Sequence, residues 1–142
     1  MANNYTQFSE TVDDLTPEEI EWWEKELQPY DELEEDEQKA WLEEGRGVDD
    51  PDHWPSFSWE VQNDYLWIYA DEYGNVDNVG IAVQRFLERF RPNGYFTLSW
   101  ATWCSRPRIG EFQGGALFVT HEGVEWMTTW NWLNKKERER KP

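Results

Sequence analysis

The N-terminal half of the chain alternates between apolar and acidic positions with the period of an α-helix. Ile20, Trp23 and Leu27 recur at i, i+3 and i+7, a spacing that predicts a helix with one inward face. Thr16 followed by Glu19 is the pattern of a capping box, with a proline at the first helical position between them. A second proline, two residues after Leu27, ends the predicted helix.

A second helix is predicted between Asp31, as its N-cap, and Gly45. Glu34 stands three residues after Asp31, as a capping box requires. One face of this helix carries Leu33, Glu37, Ala40 and Trp41. Because the other faces are almost entirely acidic, we interpret Trp41 as the residue that holds the helix against the body of the protein.

Strand and helix periods alternate in the rest of the chain, after a Gly-, Pro- and Asp-rich connection at 45–57. Apolar residues recur with helical spacing through 74–90, whereas 65–70 and 95–104 are rich in the aromatic and β-branched residues that favour strands. The predicted elements, in order, are strands at 58–61 and 65–70, a helix at 74–90, strands at 95–104 and 114–120, and a closing helix at 124–133.

This order predicts an α+β fold, with helices mainly on one face of a small sheet of three or four strands and with an acidic N-terminal helical pair. A chain of 142 residues is long enough to bury a core of its own. We therefore expect a single domain over residues 1–142, with an acidic helical part at 1–57 and an α+β core at 58–142.

The net charge of the chain is −17, and the whole imbalance lies in its first part. Residues 1–60 hold 20 acids and 3 bases, whereas residues 61–142 hold 10 of each. Eleven tryptophans argue against a disordered acidic polymer, because such chains are poor in aromatic residues. The charge asymmetry is therefore the strongest functional signal in the sequence.

The densest acidic run is residues 31–44, with eight carboxylates against Lys39. As one helix it would be about 21 Å long, a length over which duplex DNA shows about twelve phosphate charges. Its charge density is thus about two-thirds that of DNA, which is enough to compete for a basic groove if the first helix adds a parallel row. The alternative is a solvated acidic face without a partner, and the sequence leaves both open.

The sequence also predicts the cellular compartment of the protein and whether it crosses or binds a membrane. The only cysteine is Cys104, so an intrachain disulfide is impossible and a reducing compartment is the default. The first ten residues lack the basic and apolar regions of a signal peptide, and no apolar run approaches the ~18 residues that cross a bilayer. An acidic surface is repelled by anionic lipid and by nucleic acid. We expect a cytoplasmic protein that binds neither directly.

Metal and nucleophile chemistry have weak support. Residues 49–60 begin like a calcium loop but place Trp54 where an EF-hand needs glycine. A zinc site would need His53, His121 and Cys104 to converge. Cys104 as a nucleophile, with His121 as its base, has no known nucleophile motif around it. We therefore expect no catalytic residue, no metal and no cofactor, and keep as an alternative a small enzyme that uses the loop at 104–114.

The loop at 104–114 is the second feature of interest. Arg106 and Arg108 are two of the few bases in this part of the chain, and Glu111 and Phe112 follow them. The paired glycines after them let another backbone come close. The loop is either a contact for an anion or a partner, or a long hairpin whose arginines pair with the protein's own acids. The second interpretation is favoured.

Four segments carry a resemblance: LTPEE, YLWIYADEYGNVDNV, VQRFLERFRP and CSRPRIGEFQGGALFVT. They resemble a family of small, uncharacterised bacterial proteins associated with mobile elements, over roughly 80 residues at the ends and in the second half. The family members carry a longer, variable middle where this chain has its acidic run. The resemblance implies no activity and no functional residues. It implies a phage or plasmid setting, in which small acidic proteins that resemble anti-CRISPR or anti-restriction inhibitors are a known strategy.

We expect a non-enzymatic inhibitor that acts as a DNA mimic and binds the basic groove of a nucleic-acid-binding protein or complex. The oligomeric state does not follow from the sequence. Carboxylates would face the partner's Lys and Arg side chains, and exposed Trp22 and Trp54 would supply buried contacts. The candidate acids are Glu18, Glu21, Glu24, Asp31, Glu32, Glu35, Asp36, Glu43, Glu44, Asp49, Asp50 and Asp52. The alternative is a protein–protein adaptor or toxin-neutralising partner that uses aromatic patches.

Overall fold

The computed structural model describes residues 3–141 and builds them into one sheet flanked by helices. The strands and α-helices within these residues are β1 (Asn4–Val12), α1 (Pro17–Glu26), α2 (Glu35–Glu43), β2 (Ser58–Gln62), β3 (Tyr65–Ala70), α3 (Val76–Phe90), β4 (Phe96–Cys104), β5 (Gln113–Thr120), β6 (Gly123–Thr128) and α4 (Thr129–Arg140). The predicted α+β class is confirmed.

The sheet has six strands in the order β2-β3-β1-β4-β5-β6, and every neighbouring pair is antiparallel. The prediction of three or four strands is therefore wrong. It missed β1, which lies in the middle of the sheet and pairs with β3 on one side and β4 on the other. It also assigned the residues of β6 to a closing helix, whereas α4 begins only at Thr129.

One face of the sheet packs against the helices and forms the core. Leu66, Ile68 and Val119 of the strands are fully buried there, together with Trp23 of α1 and Phe86 of α3. The helical spacing predicted within 74–90 is confirmed, because the apolar side of α3 supplies a large share of this core. Helix α3 is thus held by burial of an apolar stripe, whereas α2 buries only Trp41 and α4 has no buried residue.

The two acidic helices begin in different ways. Helix α1 has the predicted capping box, in which Thr16 accepts a hydrogen bond from the Glu19 N–H and Glu19 accepts one from the Thr16 N–H. Asp31 is not the cap of α2, because it lies in a short 3₁₀ turn at Tyr30–Glu32. The cap is Glu34, three residues later. The acidic run is therefore a turn followed by a nine-residue helix rather than one long helix.

Candidate acidic interaction surface

The exposed carboxylates of residues 13–52 form a surface that we call the acidic surface. Fourteen of these acids are exposed, and no Lys, Arg or His of residues 3–141 lies within 4.0 Å of their carboxylates. They are Asp13, Asp14, Glu18, Glu21, Glu24, Asp31, Glu32, Glu34, Glu35, Asp36, Glu37, Glu43, Asp49 and Asp52. Ten of the twelve acids that the sequence singled out are among them.

The other two acids, Glu44 and Asp50, have cationic partners. Asp50 Oδ2 lies 2.6 Å from His53 Nδ1, and this hydrogen bond raises the pKa of the His53 imidazole. Trp54 was predicted to be exposed, which is wrong: it is 1% exposed and donates its indole N–H to the Glu26 carbonyl at 3.0 Å. Trp22 is half-buried and keeps part of its ring accessible.

Four side chains lock α2 to the rest of the protein, and we call them the arginine clamp: Glu26, Glu44, Arg46 and Arg85. Glu26 Oε1 accepts hydrogen bonds from Arg46 at 2.9 Å and from Arg85 at 2.7 Å. Glu44 Oε2 accepts from the same two arginines at 3.1 and 2.9 Å. The clamp joins the end of α1, the end of α2 and the middle of α3 in one closed ring.

The pKa values of the two clamp arginines shift in opposite directions, although burial acts to lower both. At Arg46 the loss of solvent outweighs the neighbouring carboxylates and lowers the pKa of the guanidinium. At Arg85 burial acts in the same direction, but the hydrogen bonds to Glu26 and Glu44 outweigh it and raise the pKa. Both side chains remain cationic at neutral pH, since an arginine does not lose its proton in proteins. The clamp therefore pairs Arg46 and Arg85 with Glu26 and Glu44, so these two cations do not neutralise the carboxylates of the acidic surface.

Trp41 holds α2 in place, as the sequence predicted. It is 6% exposed and packs edge-on against Tyr30 at 5.2 Å and Trp54 at 5.7 Å between ring centroids. The guanidinium carbon of Arg46 lies 4.5 Å above its ring, a cation–π contact. An aromatic cluster and the arginine clamp thus fix the same helix, so the carboxylates of α2 stand on a rigid support.

The acidic surface does not reproduce the straight charged rod that the sequence suggested. Helix α2 has nine residues, which corresponds to about 13.5 Å, a length over which duplex DNA shows about eight charges. Its acids are Glu35, Asp36, Glu37 and Glu43. The carboxylates are distributed over α1, the 3₁₀ turn, α2 and the loop that follows. The acidic surface therefore matches a broad basic area on a partner protein better than a narrow groove that fits one strand of a duplex.

The electrostatic effect of the acids extends beyond residue 52. Burial, and after it the charge of Asp49, raises the pKa of the Asp77 carboxyl. Asp77 lies in the first turn of α3, where a carboxylate is normally stabilised by the helix dipole. The raised pKa of Asp77 therefore reflects desolvation first, with the charge of Asp49 as the smaller cause.

The structure of the loop at 104–114 does not match the favoured interpretation, in which its arginines pair with the protein's own acids. Arg106 and Arg108 are exposed, and no Asp or Glu of the described residues lies within salt-bridge distance of them. Ile109 at the tip is fully exposed and Phe112 is 53% exposed, whereas Glu111 is half-buried. The sequence analysis overlooked Ile109. The two arginines and Ile109 of this loop are therefore open to solvent, and the arginines do not form an internal ion pair.

The geometry argues against a Cys104–His121 pair. Cys104 ends β4 and is 3% exposed, whereas His121 follows β5 at the end where Phe96 pairs with Val119. Eight residues separate Phe96 from Cys104, which corresponds to roughly 27 Å along a strand. Among residues 3–141, no group of three or more His, Cys, Asp or Glu side chains is placed to hold a metal ion. In the same part of the chain, every helix is too short or too polar to cross a bilayer.

Comparisons with protein-family models, with curated proteins and with solved structures gave no match. The resemblance of the four segments to bacterial proteins of mobile elements therefore stays a prediction.

Proposed function

We propose that this protein is a non-enzymatic binding protein whose acidic surface occupies a basic, nucleic-acid-binding surface of a partner protein. The observation that carries the proposal is the group of fourteen exposed carboxylates with no cationic side chain of the described residues within 4.0 Å. Like charges brought together in this way destabilise the fold. A partner rich in Lys and Arg would remove that repulsion on binding.

The distribution of arginines supports the same proposal. Arg46 and Arg85 pair with Glu26 and Glu44, and Arg91 pairs with the buried Glu19 at 3.2 Å. Three cations are thus used for internal contacts with acids that are themselves not part of the fourteen. The exposed surface stays almost uniformly negative, with Lys25 and Lys39 as the cations of the same stretch.

Rigidity of the support favours binding. Side chains that are held in place before binding lose less conformational entropy when the complex forms. Trp41 and the arginine clamp fix α2 without using its exposed acids. Complementary charge would then give fast association that slows as salt is added.

The test is capture of the partner from a bacterial lysate with the tagged protein, with washes at low and then at high salt. The test variant reverses four exposed acids to lysine: Glu32, Glu35, Asp36 and Glu43. The matched control reverses four exposed acids of the second half: Asp64, Glu72, Glu88 and Glu122. Each set changes the net charge from −17 to −9. Because Glu35 and Asp36 lie in the first turn of α2, circular dichroism of the test variant must first show that it keeps the helix content of the wild type.

We expect the wild type and the control to capture one nucleic-acid-binding complex that leaves at high salt, and the test variant to lose it. A nuclease-protection or filter-binding assay on that complex should show that the wild-type protein displaces the nucleic acid bound by the complex. A host defence complex is the first class of partner to test, because of the predicted mobile-element setting. Equal capture by the two variants would refute the role of the acidic surface.

An adaptor that uses aromatic patches is a second candidate, favoured by one feature of β6 and α4. Five apolar side chains there are between 43% and 60% exposed: Trp126, Met127, Trp130, Trp132 and Leu133. Large apolar side chains exposed together mark interaction sites on many proteins, and Trp130, Trp132 and Leu133 are exposed along α4. Capture that is insensitive to salt, and that is lost in a Trp130→Ser, Leu133→Ser variant, would support the adaptor over the acidic inhibitor.

A further inference from the structure

The six strands contain no lysine and no arginine. Their charged residues are Glu10, Glu60 and Glu125, all acidic. The face of the sheet that points away from the core is half-buried or exposed along β1, β3 and β4. A ligand on this face would therefore meet negative charge and no cation from the strands.

Aromatic rings stand in stacked rows on this face. Trp67 and Tyr69 of β3 are stacked at 3.8 Å with 18° between their planes, and Tyr5 and Trp103 are stacked across β1 and β4 at 4.3 Å with 24°. The indole N–H of Trp67 is held by Ser9 Oγ at 2.9 Å. That of Trp103 donates to Gln7 Oε1 at 3.0 Å. The rows are thus fixed in orientation, and their outer ring faces and edges are what a ligand would contact.

Two hollows lie on the same face. The first, of about 460 Å³, is lined by Trp67, Tyr69 and Asp71, among others. The second, of about 440 Å³, lies across β4, β5 and β6, where Phe118 and Met127 form an apolar wall beside Glu10 and Glu125. Each hollow combines an apolar or aromatic wall with at least one carboxylate. This is the environment that suits a long cationic side chain, whose stem is apolar and whose head is charged.

We propose that the outer face of the sheet, which points away from the core, binds an extended, arginine-bearing segment of a partner protein, with guanidinium groups stacked on the aromatic rows and paired with Asp71 and Glu125. Arginine suits the rows better than lysine because its head is planar and stacks on rings. Nucleic acid is disfavoured along β1, β3 and β4 because these strands offer its phosphates carboxylates and no cation, whereas the cations of α4, such as Lys136 over Trp132, lie at the β5–β6 side. A second copy of the chain is disfavoured because each copy carries a net charge of −17.

This site is distinct from the acidic surface and does not depend on it. The acidic surface is carried by α1, α2 and their loops, while the outer face is formed by strands of the sheet, with α4 at its β5–β6 side. A partner with a folded basic surface and a flexible arginine-bearing tail would engage both. The two proposals therefore fail separately, and each has its own variants.

The experiment is calorimetric titration at 150 mM salt with two blocked octapeptides of equal charge, (Arg-Gly)₄ and (Lys-Gly)₄. Because the acidic surface attracts both peptides, the titration is repeated in a background with Glu21→Gln, Glu24→Gln and Glu43→Gln. The site variant is Asp71→Asn with Glu125→Gln, which keeps side-chain shape, and Trp67→Ala is a second variant. The matched control is Asp64→Asn with Glu88→Gln, at exposed positions in the β2–β3 turn and on α3.

We expect (Arg-Gly)₄ to bind the background protein roughly fivefold or more tightly than (Lys-Gly)₄, since arginine adds stacking to the shared charge. The site variant and Trp67→Ala should lose that preference, and the control should keep it. The indole N–H signals of Trp67 and Trp103 should shift on titration. Equal affinity for the two peptides, or an unchanged preference in the site variant, would overturn the proposal. A concentration-dependent dimer that Trp67→Ala abolishes would overturn it too, because a second copy would then occupy the face.

Discussion

Arg85 Nε lies 2.7 Å from Glu26 Oε1 and joins the middle of α3 to the last residue of α1. Glu26 is 5% exposed and accepts from Arg46 as well, so one buried carboxylate holds two arginines. The contact connects residues 59 positions apart in the chain. It ties the acidic helices to the sheet-bound helix, and it withdraws cations from the surface that we propose to be functional.

Replacing Glu26 by glutamine should destabilise the protein by about 3 kcal/mol, because it removes the buried carboxylate shared by the buried Arg46 and the half-buried Arg85 and leaves them only the half-exposed Glu44. The measurement is the free energy of unfolding in urea. Glu24→Gln, on the exposed side of the same helix, is the matched control and should stay within about 0.5 kcal/mol of the wild type. A Glu26→Gln variant as stable as this control would mean that solvent reaches the clamp.

The pairing of Glu19 with Arg91 predicts a pH dependence. Burial alone would raise the pKa of the Glu19 carboxyl, but the hydrogen bonds from Arg91 and the Thr16 N–H outweigh it, and the net pKa lies below 4.5. A carboxyl with a lowered folded pKa stabilises the fold above its unfolded pKa. That contribution is lost as the pH falls through the folded value.

The measurement is the difference in unfolding free energy between the wild type and Glu19→Gln from pH 7 to pH 3. We expect the wild type to be more stable above pH 4.5 and the difference to shrink below it. Taking a difference removes the effect of the other carboxylates, which titrate in both proteins. A difference that stays constant with pH would contradict the assigned ion pair.

Trp41 and its neighbour Leu42 give a matched pair of substitutions on one helix. Trp41 is buried against Tyr30 and Trp54, whereas Leu42 is 52% exposed. Trp41→Ala should cost about 3–5 kcal/mol, the usual range for deleting a buried tryptophan, and Leu42→Ala about 0.5 kcal/mol or less. Hydrogen exchange of the α2 amides should rise first in Trp41→Ala. Equal effects at the two positions would show that α2 is not anchored through Trp41.

The sequence was sufficient for elements whose stabilising contacts are local or periodic. The capping box at Thr16 and Glu19 involves residues three apart, and the core face of α3 repeats with the helical period. Both were predicted correctly. Strand β1 was missed because Phe8 and Val12 are its only buried apolar residues, so the alternation of apolar positions is too weak to mark a strand.

The other wrong predictions concern residues whose structure depends on partners far away in the chain. Residues 124–128 have apolar spacing compatible with a helix, but hydrogen bonds to β5 make them a strand. Trp54 stands in a polar loop, and only its packing on Trp41 and its bond to Glu26 bury it. The clamp itself joins Glu26 to Arg85 across the chain. A pattern of spacings contains no information on which distant partners meet.

The acidic surface predicts that salt stabilises this protein. Repulsion among the fourteen exposed carboxylates is screened as ionic strength rises, since the Debye length falls from about 30 Å at 0.01 M to about 3 Å at 1 M. The melting temperature should therefore be higher at 0.5 M than at 0.01 M sodium chloride. A variant with Glu21→Gln, Glu24→Gln and Glu43→Gln removes three of these acids without touching the first turn of either helix, where a carboxylate favours the dipole. It should melt higher than the wild type at low salt and respond less to added salt.

The control variant carries Glu72→Gln, Glu88→Gln and Glu122→Gln and should keep most of the wild-type response, because these exposed acids lie outside the acidic surface. Equal salt responses in the two variants would mean that the fourteen carboxylates do not act on one another, and that the clustering on which the proposed function depends has no electrostatic consequence.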